Sequence, residues 1–427
     1  MEWTSTRIRL LRDTGLCESQ HDFAKTLGMA KRTIGNAERG AHLPSLALRR
    51  ALDQALKHAS DIQRDRFFAA VAAHDTTTSP AIHSSSTVAP GHPTRTLDGL
   101  RSVVLGSPAA IPFDGSGPAA HLAGNVMAVT AQAHRLYQLA DYDAAAQLLP
   151  AVLNRLRSRV DTDPEERLTG TLTTRHAMAA AYIAAAKLAT KLGDVGLASV
   201  TADRAMTAAK ESDHPALLGA ATYQVACALL LTDELADAEQ LVTVGTENIA
   251  SVVATERLNC RHEEVLSVRG SLLLMLAIIS ARRGDHNAAR TALDDAGQLA
   301  EQLGGDDNWL WTAFGPTNVA IHEVSVQSRL GAVKEAAQIA EAIDTDALPA
   351  VLHGRRSQVH LELGWAAAGH GDDAVAVLHL IEAERVAEQA VSRNASARSL
   401  LSLLLARERQ SVTPGLRGLA FRAGVLA

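Results

Sequence analysis

Residues 19–40, SQHDFAKTLGMAKRTIGNAERG, decide how the first part of the chain folds. Their apolar residues fall into two helical stripes, Phe23, Ala24 and Leu27 followed by Ile34 and Ala37. Gly28 separates the stripes, and glycine tolerates the positive φ that a sharp reversal of the chain requires. The pattern predicts two short helices that meet at a tight turn and pack their apolar faces together.

The second of these helices has a polar and basic outer face. Arg and Lys suit the guanine edge in the major groove of DNA, and Asn suits adenine. Gln20 opens the first helix, where its side chain is placed to hold a backbone phosphate. The stretch therefore predicts a DNA-binding surface made of Gln20, Lys31, Arg32, Thr33, Asn36 and Arg39.

The order S-Q-x-x-x-A-x-x-L-G-x-x-x-x-T-I-x-x-x-E-x-G, followed by Pro44, resembles the lambda-repressor-like (XRE) DNA-binding domain over about residues 7–58. Two positions depart from that family. Ala30 stands where a Ser or Thr usually caps the recognition helix, and Ala37 stands where a large apolar residue is usual. A missing cap typically costs about 1 kcal/mol. The resemblance implies a helix-turn-helix domain, assigned here to residues 1–74.

Composition predicts a cytoplasmic protein of more than one domain, since 427 residues suffice for two or more. Residues 1–74 carry 12 Lys and Arg against 8 Asp and Glu, whereas the whole chain has a net charge of −6. This imbalance favours nucleic-acid binding by the N-terminal part alone. We expect neither a membrane-spanning segment nor a signal peptide. The three widely spaced cysteines indicate a reducing compartment.

Residues 75–118 are rich in Ser, Thr, Pro and Gly and predict a flexible linker. One apolar island at residues 100–105 is expected to dock as a short strand or turn.

From residue 119 onward the sequence predicts one helix after another, with one pattern repeated six times. A small or turn-forming residue lies five positions before an alanine, and an Asp usually follows the first member. The pairs are Ala140 and Ala145, Gly193 and Ala198, Asp233 and Ala238, Gly284 and Ala289, Gly331 and Ala336, and Gly371 and Ala376. Each pair separates a longer apolar-periodic helix from a shorter one. The pattern predicts helical hairpins whose second helix packs closely at the alanine.

These hairpins resemble the tetratricopeptide repeat, although their alanine anchors lie 40 to 53 residues apart, further than in the standard repeat. The resemblance implies a superhelix whose concave face is lined by the first helix of each hairpin. The predicted fold class is all-α: a helix-turn-helix domain, then an α-solenoid of tetratricopeptide-like hairpins over residues 119–412 and a C-terminal cap over 413–427. A generic alanine-rich bundle is the alternative.

Residues 308–322, NWLWTAFGPTNVAIH, hold two of the four Trp of a chain that is poor in aromatic residues. Gly315-Pro316 interrupts a helix, Thr317 is placed to cap the helix that restarts, and polar residues then follow at i and i+4. Aromatic rings beside a polar pair suit a ligand groove. Arg355 lies at the start of the first helix of the following hairpin, where it can bind a carboxylate. The predicted effector-binding residues are Trp309, Trp311, Asn318, His322, Arg355 and Gln358. The alternative is that the Trp side chains fill the core and Arg355 is solvated.

The sequence contains no catalytic motif, and we expect no enzyme activity, no cofactor and no bound metal. His353, His360, His370 and His379 crowd one region. A metal site there is a less favoured alternative, because His370 falls at a predicted turn.

The combination of an XRE-like domain with a tetratricopeptide-like body resembles the peptide-responsive regulators of Gram-positive bacteria (the RRNPP group), which serve quorum sensing, and the actinobacterial XRE regulators with repeat domains. The resemblance implies a homodimeric transcription regulator. Its expected partners are a double-stranded DNA operator and a peptide or small-molecule effector, and no membrane. The alternative is a protein–protein interaction scaffold that uses the repeats and has a vestigial or recruiting helix-turn-helix.

Overall fold

The computed structural model describes residues 5–38, 46–60, 63, 66–67, 96–106, 126–162, 172–254, 260–344, 347–408 and 413–426. Within these ranges every regular element is a helix and none is a strand, so the predicted all-α class is confirmed. The chain divides into two compact units, Met1–Val88 and Ala89–Ala427. The predicted boundary at residue 74 and most of the predicted linker lie outside the described residues.

Within its described residues, the first unit has four α-helices around one small core. Their bounds are α1 Ser5–Leu10, α2 Gln20–Thr26, α3 Lys31–Glu38 and α4 Leu46–His58, and a π-helical segment, Leu11–Leu16, continues α1. The core consists of Ile8, Leu11, Phe23, Ala24, Leu27, Ile34, Ala37, Leu48, Leu52 and Phe67. All five residues of the two apolar stripes are thus buried together, as their spacing predicts.

The turn between α2 and α3 forms as the sequence indicates. Ser19 precedes α2, and its hydroxyl accepts a hydrogen bond from the N–H of Asp22 at 3.2 Å. Gly28 follows α2 with φ +64°. Ala30 precedes α3 and offers only its backbone carbonyl, which accepts the N–H of Thr33 at 2.9 Å. One of the two helices is therefore capped by a side chain, and the other follows an alanine, which has no capping group.

The second unit contains sixteen α-helices within its described residues. They are α5 Asp98–Leu105, α6 Val126–Gln138, α7 Tyr142–Thr162, α8 Leu172–Leu192, α9 Val195–Glu211, α10 Pro215–Leu231, α11 Leu235–Ala254, α12 His262–Arg282, α13 His286–Leu303, α14 Pro316–Arg329, α15 Val333–Ala342, α16 His353–Gly369, α17 Asp373–Val386, α18 Gln389–Ser392, α19 Ala395–Ala406 and α20 Leu416–Arg422. A short 3-10 helix, Trp309–Trp311, lies between α13 and α14.

Six hairpins, α6–α7 through α16–α17, follow the repeated pattern. The six predicted turn residues all have a positive φ, from +61° at Ala140 to +81° at Gly331. The six partner alanines, Ala145, Ala198, Ala238, Ala289, Ala336 and Ala376, are all 0% exposed. In four hairpins the Asp after the turn accepts the N–H of the third residue beyond it: Asp141, Asp194, Asp285 and Asp372. The recurring Asp is therefore the N-cap of the second helix.

The hairpins close into a ring. The first helices, α6, α8, α10, α12, α14 and α16, pack side by side in chain order, and α16 also contacts α6. Lys191 and Gln358 meet across this closure, with Nζ 3.5 Å from Oε1. The carboxylate of Asp143 pairs with the guanidinium of Arg393 at 2.8 Å, which ties α7 to the segment just after α18. The first helices therefore surround a central space rather than an open groove.

The apolar island of the predicted linker is a helix, α5, and not a strand or turn. Its buried residues Leu100, Val103 and Val104 belong to the main core of the second unit. Arg157 of α7 donates a hydrogen bond to the backbone carbonyl of Val103. The island docks because its apolar residues lie three and four positions apart, which is helical spacing.

Two further expectations concern α12 and the C-terminus. The sequence was expected to contain no membrane-length apolar run, but α12 reaches a mean hydropathy of 1.7 over 18 residues. Because 78% of that window is buried inside the protein, α12 has the character of a core helix. At the other end, α20 packs Leu416 and Leu419 into one cluster with α19.

Candidate functional site

The candidate DNA-binding surface lies on the first turn of α3. Lys31, Arg32 and Thr33 are exposed, and Asn36, one turn later, is partly buried. The opposite side of α3 is fixed in the core through Ile34 and Ala37, so the exposed cations stand on a helix that is held in place. Arg39, the sixth predicted residue, lies outside the described residues.

A buried polar cluster ties the helices of the first unit together. Glu38, at the end of α3, is 4% exposed. Its carboxylate accepts hydrogen bonds from Arg12 Nε at 2.6 Å and from Gln20 Nε2 at 2.7 Å, and Arg9 donates to its backbone carbonyl at 2.8 Å. The hydrogen bond to Glu38 raises the pKa of Arg12 above its ordinary value. The Gln20 amide, predicted to hold a phosphate, therefore donates to a carboxylate within the protein.

The candidate effector site is a cavity of about 570 Å³ at the centre of the ring. Side chains from all six first helices line it, together with residues of the segment before α14 and of α19. This volume falls within the range of about 300–1,000 Å³ that is typical of small-molecule sites.

Five of the six predicted effector-binding residues meet at this cavity. They are Trp311, Asn318, His322, Arg355 and Gln358. Trp309 does not line it, and its ring lies instead under the guanidinium of Arg261, 5.3 Å from the ring centroid. One Trp therefore faces the cavity, and the other is partly buried beside Arg261.

The segment before α14 is attached to α6 and α8 by several contacts. The ring of Trp311 stacks on His134 with centroids 3.8 Å apart. The backbone carbonyl of Trp311 accepts a hydrogen bond from Lys187 Nζ at 2.8 Å. The side-chain amides of Asn308 and Gln138 exchange two hydrogen bonds, at 2.7 and 3.0 Å.

The backbone of this segment is unusual in that Leu310, Trp311 and Ala313 all have φ between +47° and +57°. Such conformations cost about 1–3 kcal/mol each in non-glycine residues and persist where surrounding contacts hold them. The stack on His134 and the Lys187 hydrogen bond supply such contacts.

The start of α14 differs in one detail from the sequence expectation. Thr317 was expected to cap the helix, but Asp306 does so: its carboxylate accepts the N–H of Thr317 at 3.0 Å and the Thr317 hydroxyl at 2.5 Å. One turn later, His322 Nδ1 lies 2.8 Å from the backbone carbonyl of Asn318. The helix thereby presents Asn318 and His322 on one face, as their i, i+4 spacing predicts.

The charged groups that line the cavity are mainly basic. Lys187 and Lys191 lie four residues apart on α8, and Arg355 lies in the first turn of α16. Burial, reinforced by the charge of Arg355, lowers the pKa of Lys187 to about 7 and that of Lys191 to about 8. The same two causes lower the pKa of His322 to about 3. Positive charge is therefore disfavoured in the cavity as long as it contains no anion.

Sequence reasoning missed Lys187 and Lys191. They stand in IAAAKLATKL, residues 183–192, as the charged residues of an alanine-rich apolar stretch. Two lysines at i, i+4 on a largely apolar helix are the one local signal that could have drawn attention to them, but that spacing does not indicate a cavity. Tyr223 and Cys227 of α10, which also line the cavity, carry no comparable signal.

A second group of ligand-type side chains lies apart from the cavity, at the start of α10 and α12. Within the described residues, donor atoms of His214, Cys260 and Glu264 come within 4.8 Å of one another. Nδ1 of His214 accepts the N–H of Leu217 at 3.1 Å, and Nε2 lies 3.5 Å from the Glu264 carboxylate. Because Nδ1 is an acceptor, the neutral ring carries its proton on Nε2. That tautomer donates to Glu264 and offers no lone pair to a metal.

The crowded histidines at 353–379 do not form such a group within the part of the chain that the structure describes. The rings of His360 and His379 are 5.9 Å apart, and burial lowers the pKa of both.

Comparison of the chain with protein-family models, with curated proteins and with solved structures finds no match.

Proposed function

We propose that the protein is a sequence-specific transcription regulator, in which the first unit is a helix-turn-helix that binds DNA and the second binds an effector. The observation that carries the DNA-binding part is the exposed basic turn of α3, Lys31 to Thr33, on a helix whose other face is buried in the core. Side chains on the N-terminal turn of such a helix reach base edges in the major groove.

The second unit supports the effector part of the proposal. We assign its hairpins to a tetratricopeptide-like arrangement, on the basis of six positive-φ turns and six buried alanines at fixed spacing. In such arrangements the first helices line the concave face. Here they surround the cavity that is lined by five of the predicted effector residues. We propose that the protein is cytoplasmic. We also propose that it is a homodimer, because one short recognition helix reads too few base pairs for useful specificity.

The DNA-binding proposal is tested by selecting sequences from a random double-stranded DNA pool with the full-length chain. We expect an enriched sequence, and Arg32→Ala weakens binding to it by about tenfold or more while binding to random DNA changes little, because a lost base contact costs about 1–3 kcal/mol. Lys57→Ala, which removes one exposed positive charge on α4, is the matched control and reduces both equally.

Two results would contradict this proposal. One is a pool that shows no enrichment. The other is binding that lacks the steep salt dependence of phosphate contacts, which would favour the interaction scaffold.

Effector control is a separate step, measured as a change in DNA affinity on ligand binding. Coupling of this kind typically amounts to about 1–3 kcal/mol.

A further inference from the structure

The central cavity contains more positive charge than its own residues neutralise. Among the described residues that line it, Glu362 is the one carboxylate. That group already accepts hydrogen bonds from Ser325 at 2.9 Å, from Gln358 at 2.7 Å and from Arg329 at 3.3 Å. Lys187 and Lys191 face the neutral oxygens of Trp311 and Gln358 instead. Buried charges are stable when they are paired, so the arrangement suits a ligand that brings negative charge.

Much of the remaining wall is apolar. It comes from the C-terminal part of α10, from α12 and α14 and from the residue before α16: Leu230, Leu274, Met275, Ile278, Ile321 and Leu352. Apart from Arg329 of α14, which pairs with Glu362, the cations come from α8 and α16. A ligand that contacts both sets has an anionic group and an apolar body.

Two buried polar atoms at the cavity wall are unsatisfied. Thr190 Oγ1 and Asn318 Oδ1 have no hydrogen-bond partner within the described residues, although both residues line the cavity and Asn318 is only 1% exposed. A buried polar group without a partner costs about 1–3 kcal/mol. Because both atoms are themselves buried, Thr190 and Asn318 contribute to the cavity wall through their other atoms.

We propose that the cavity binds a small organic anion with an apolar body, whose carboxylate or phosphate lies between Lys187, Lys191 and Arg355. The inference rests on the proposed function in that it identifies this ligand with the effector. The geometry favours a compact amphiphile because six helices surround the cavity, which holds about 570 Å³.

The test uses the full-length protein and matched series of straight-chain compounds with six to fourteen carbons. Carboxylates and monoalkyl phosphates are the anionic probes, and the alcohols and alkylammonium ions of the same length are the controls. Binding is measured by calorimetry. We expect at least one anion to bind tenfold or more tightly than its alcohol and its ammonium analogue. Equal affinity for all head groups would overturn the proposal. Comparison of the two anionic series tells carboxylate from phosphate.

Variants locate the anionic group. Arg355→Met keeps the apolar stem and removes the charge, so we expect the affinity for the best anion to fall tenfold or more. Arg355→Lys retains a cation, so we expect it to recover part of the lost affinity. Lys334→Met removes an exposed charge on α15 and leaves the affinity unchanged. If Arg355→Met folds with unchanged helical circular dichroism and binds the anion as well as the native chain, the site lies elsewhere.

Proton uptake gives a readout that a merely structural role would not change. An anion beside Lys187 stabilises the charged amine and raises its pKa from about 7. Binding at pH 8 therefore takes up protons, and affinity falls as pH rises above about 7. The other titratable or charged groups around these lysines are His134, Tyr137, Tyr142, Tyr223, Cys227, His322, Arg329, Arg355 and Glu362. Calorimetry in buffers of different ionisation enthalpy measures the uptake, and Lys187→Met reduces it.

The two proposals fail separately. Specific DNA binding with no preference for anions overturns this inference alone. Anion binding to a chain that selects no DNA sequence overturns the regulator and leaves the cavity assignment standing.

Discussion

Backbone conformation at single residues explains why the hairpin turns could be predicted. Gly284 and Gly297 make the point, because a methyl group added to either would meet no atom within 4 Å. They differ in conformation: Gly284 has φ +77° at a turn, whereas Gly297 lies inside helix α13. At each position the backbone conformation alone decides whether glycine is favoured. Such local preferences can be predicted from a sequence.

The same substitution should therefore have opposite effects at these two sites. Gly284→Ala forces a side chain into the left-handed region and lowers the free energy of unfolding by about 1 kcal/mol. Gly297→Ala raises it by about 0.5–1 kcal/mol, because alanine favours the helix. Urea unfolding followed by circular dichroism measures both. A decrease at both positions would show that packing, and not φ, decides the outcome.

The two partly buried lysines of the cavity wall show where reading single residues fails. Lys187 and Lys191 look like solvated charges in the sequence, since lysine is rarely buried. Their burial depends on Arg355, Tyr223 and the other helices around the ring, and no local pattern encodes that. Trp309 and Trp311 illustrate the same limit: they are two residues apart, and only one of them lines the cavity.

At the scale of elements, one close contact holds the Trp311 segment in place. Gly270 on α12 lies directly against the ring of Phe314, and a Cβ at position 270 would overlap that ring. Phe314 is 0% exposed. A side chain at position 270 therefore has to displace Phe314 and, with it, the segment that carries Trp311.

We expect Gly270→Ala to lower the free energy of unfolding by about 1–3 kcal/mol, the usual cost of overpacking. It should also separate Trp311 from His134, which shifts the tryptophan emission to longer wavelength. Adding Phe314→Leu makes room and recovers part of both effects. Gly297→Ala is the control, as it adds the same methyl group in open space. An unchanged emission spectrum would show that the segment is held without Phe314.

Hairpin positions were predictable at this scale, but the ring closure was not. Each hairpin depends on contacts between neighbours in the chain. The contacts that tie the unit together pair residues far apart, such as Gln138 with Asn308 and Lys191 with Gln358. The apolar island at 100–105 likewise had the spacing of a helix, but its partner, α7, could not be read from the sequence.

For the whole molecule, neutral histidines that are fully or partly buried make stability depend on pH. Burial lowers the pKa of His322 to about 3 and that of His176 to about 4, and it lowers the pKa of His134 well below its ordinary value. In the unfolded chain these groups bind protons near pH 6.5, whereas in the folded protein they do not. Their contribution to the free energy of unfolding is therefore complete above about pH 6.5 and is lost as pH falls toward 4 and 3.

We expect the urea concentration at the midpoint of unfolding to decrease as pH is lowered from 7.5 to 5.5, a range in which most carboxylates do not yet titrate. His322→Gln removes one of these groups and reduces the fall. His286→Gln, at an exposed position on α13, is the matched control and leaves the fall unchanged. A pH dependence that is the same in all three proteins would show that His322 is not responsible.

The contact between α16 and α6 sets a limit on how this architecture can vary. In an open array of hairpins, one hairpin can be added or removed, because each depends only on its neighbours. In a closed ring, the first and last members also depend on each other, so deleting one leaves a gap that the remaining curvature does not span. Within the described residues the ring has six hairpins, and we expect related sequences to keep that number and to vary in the turns and in the residues that line the cavity.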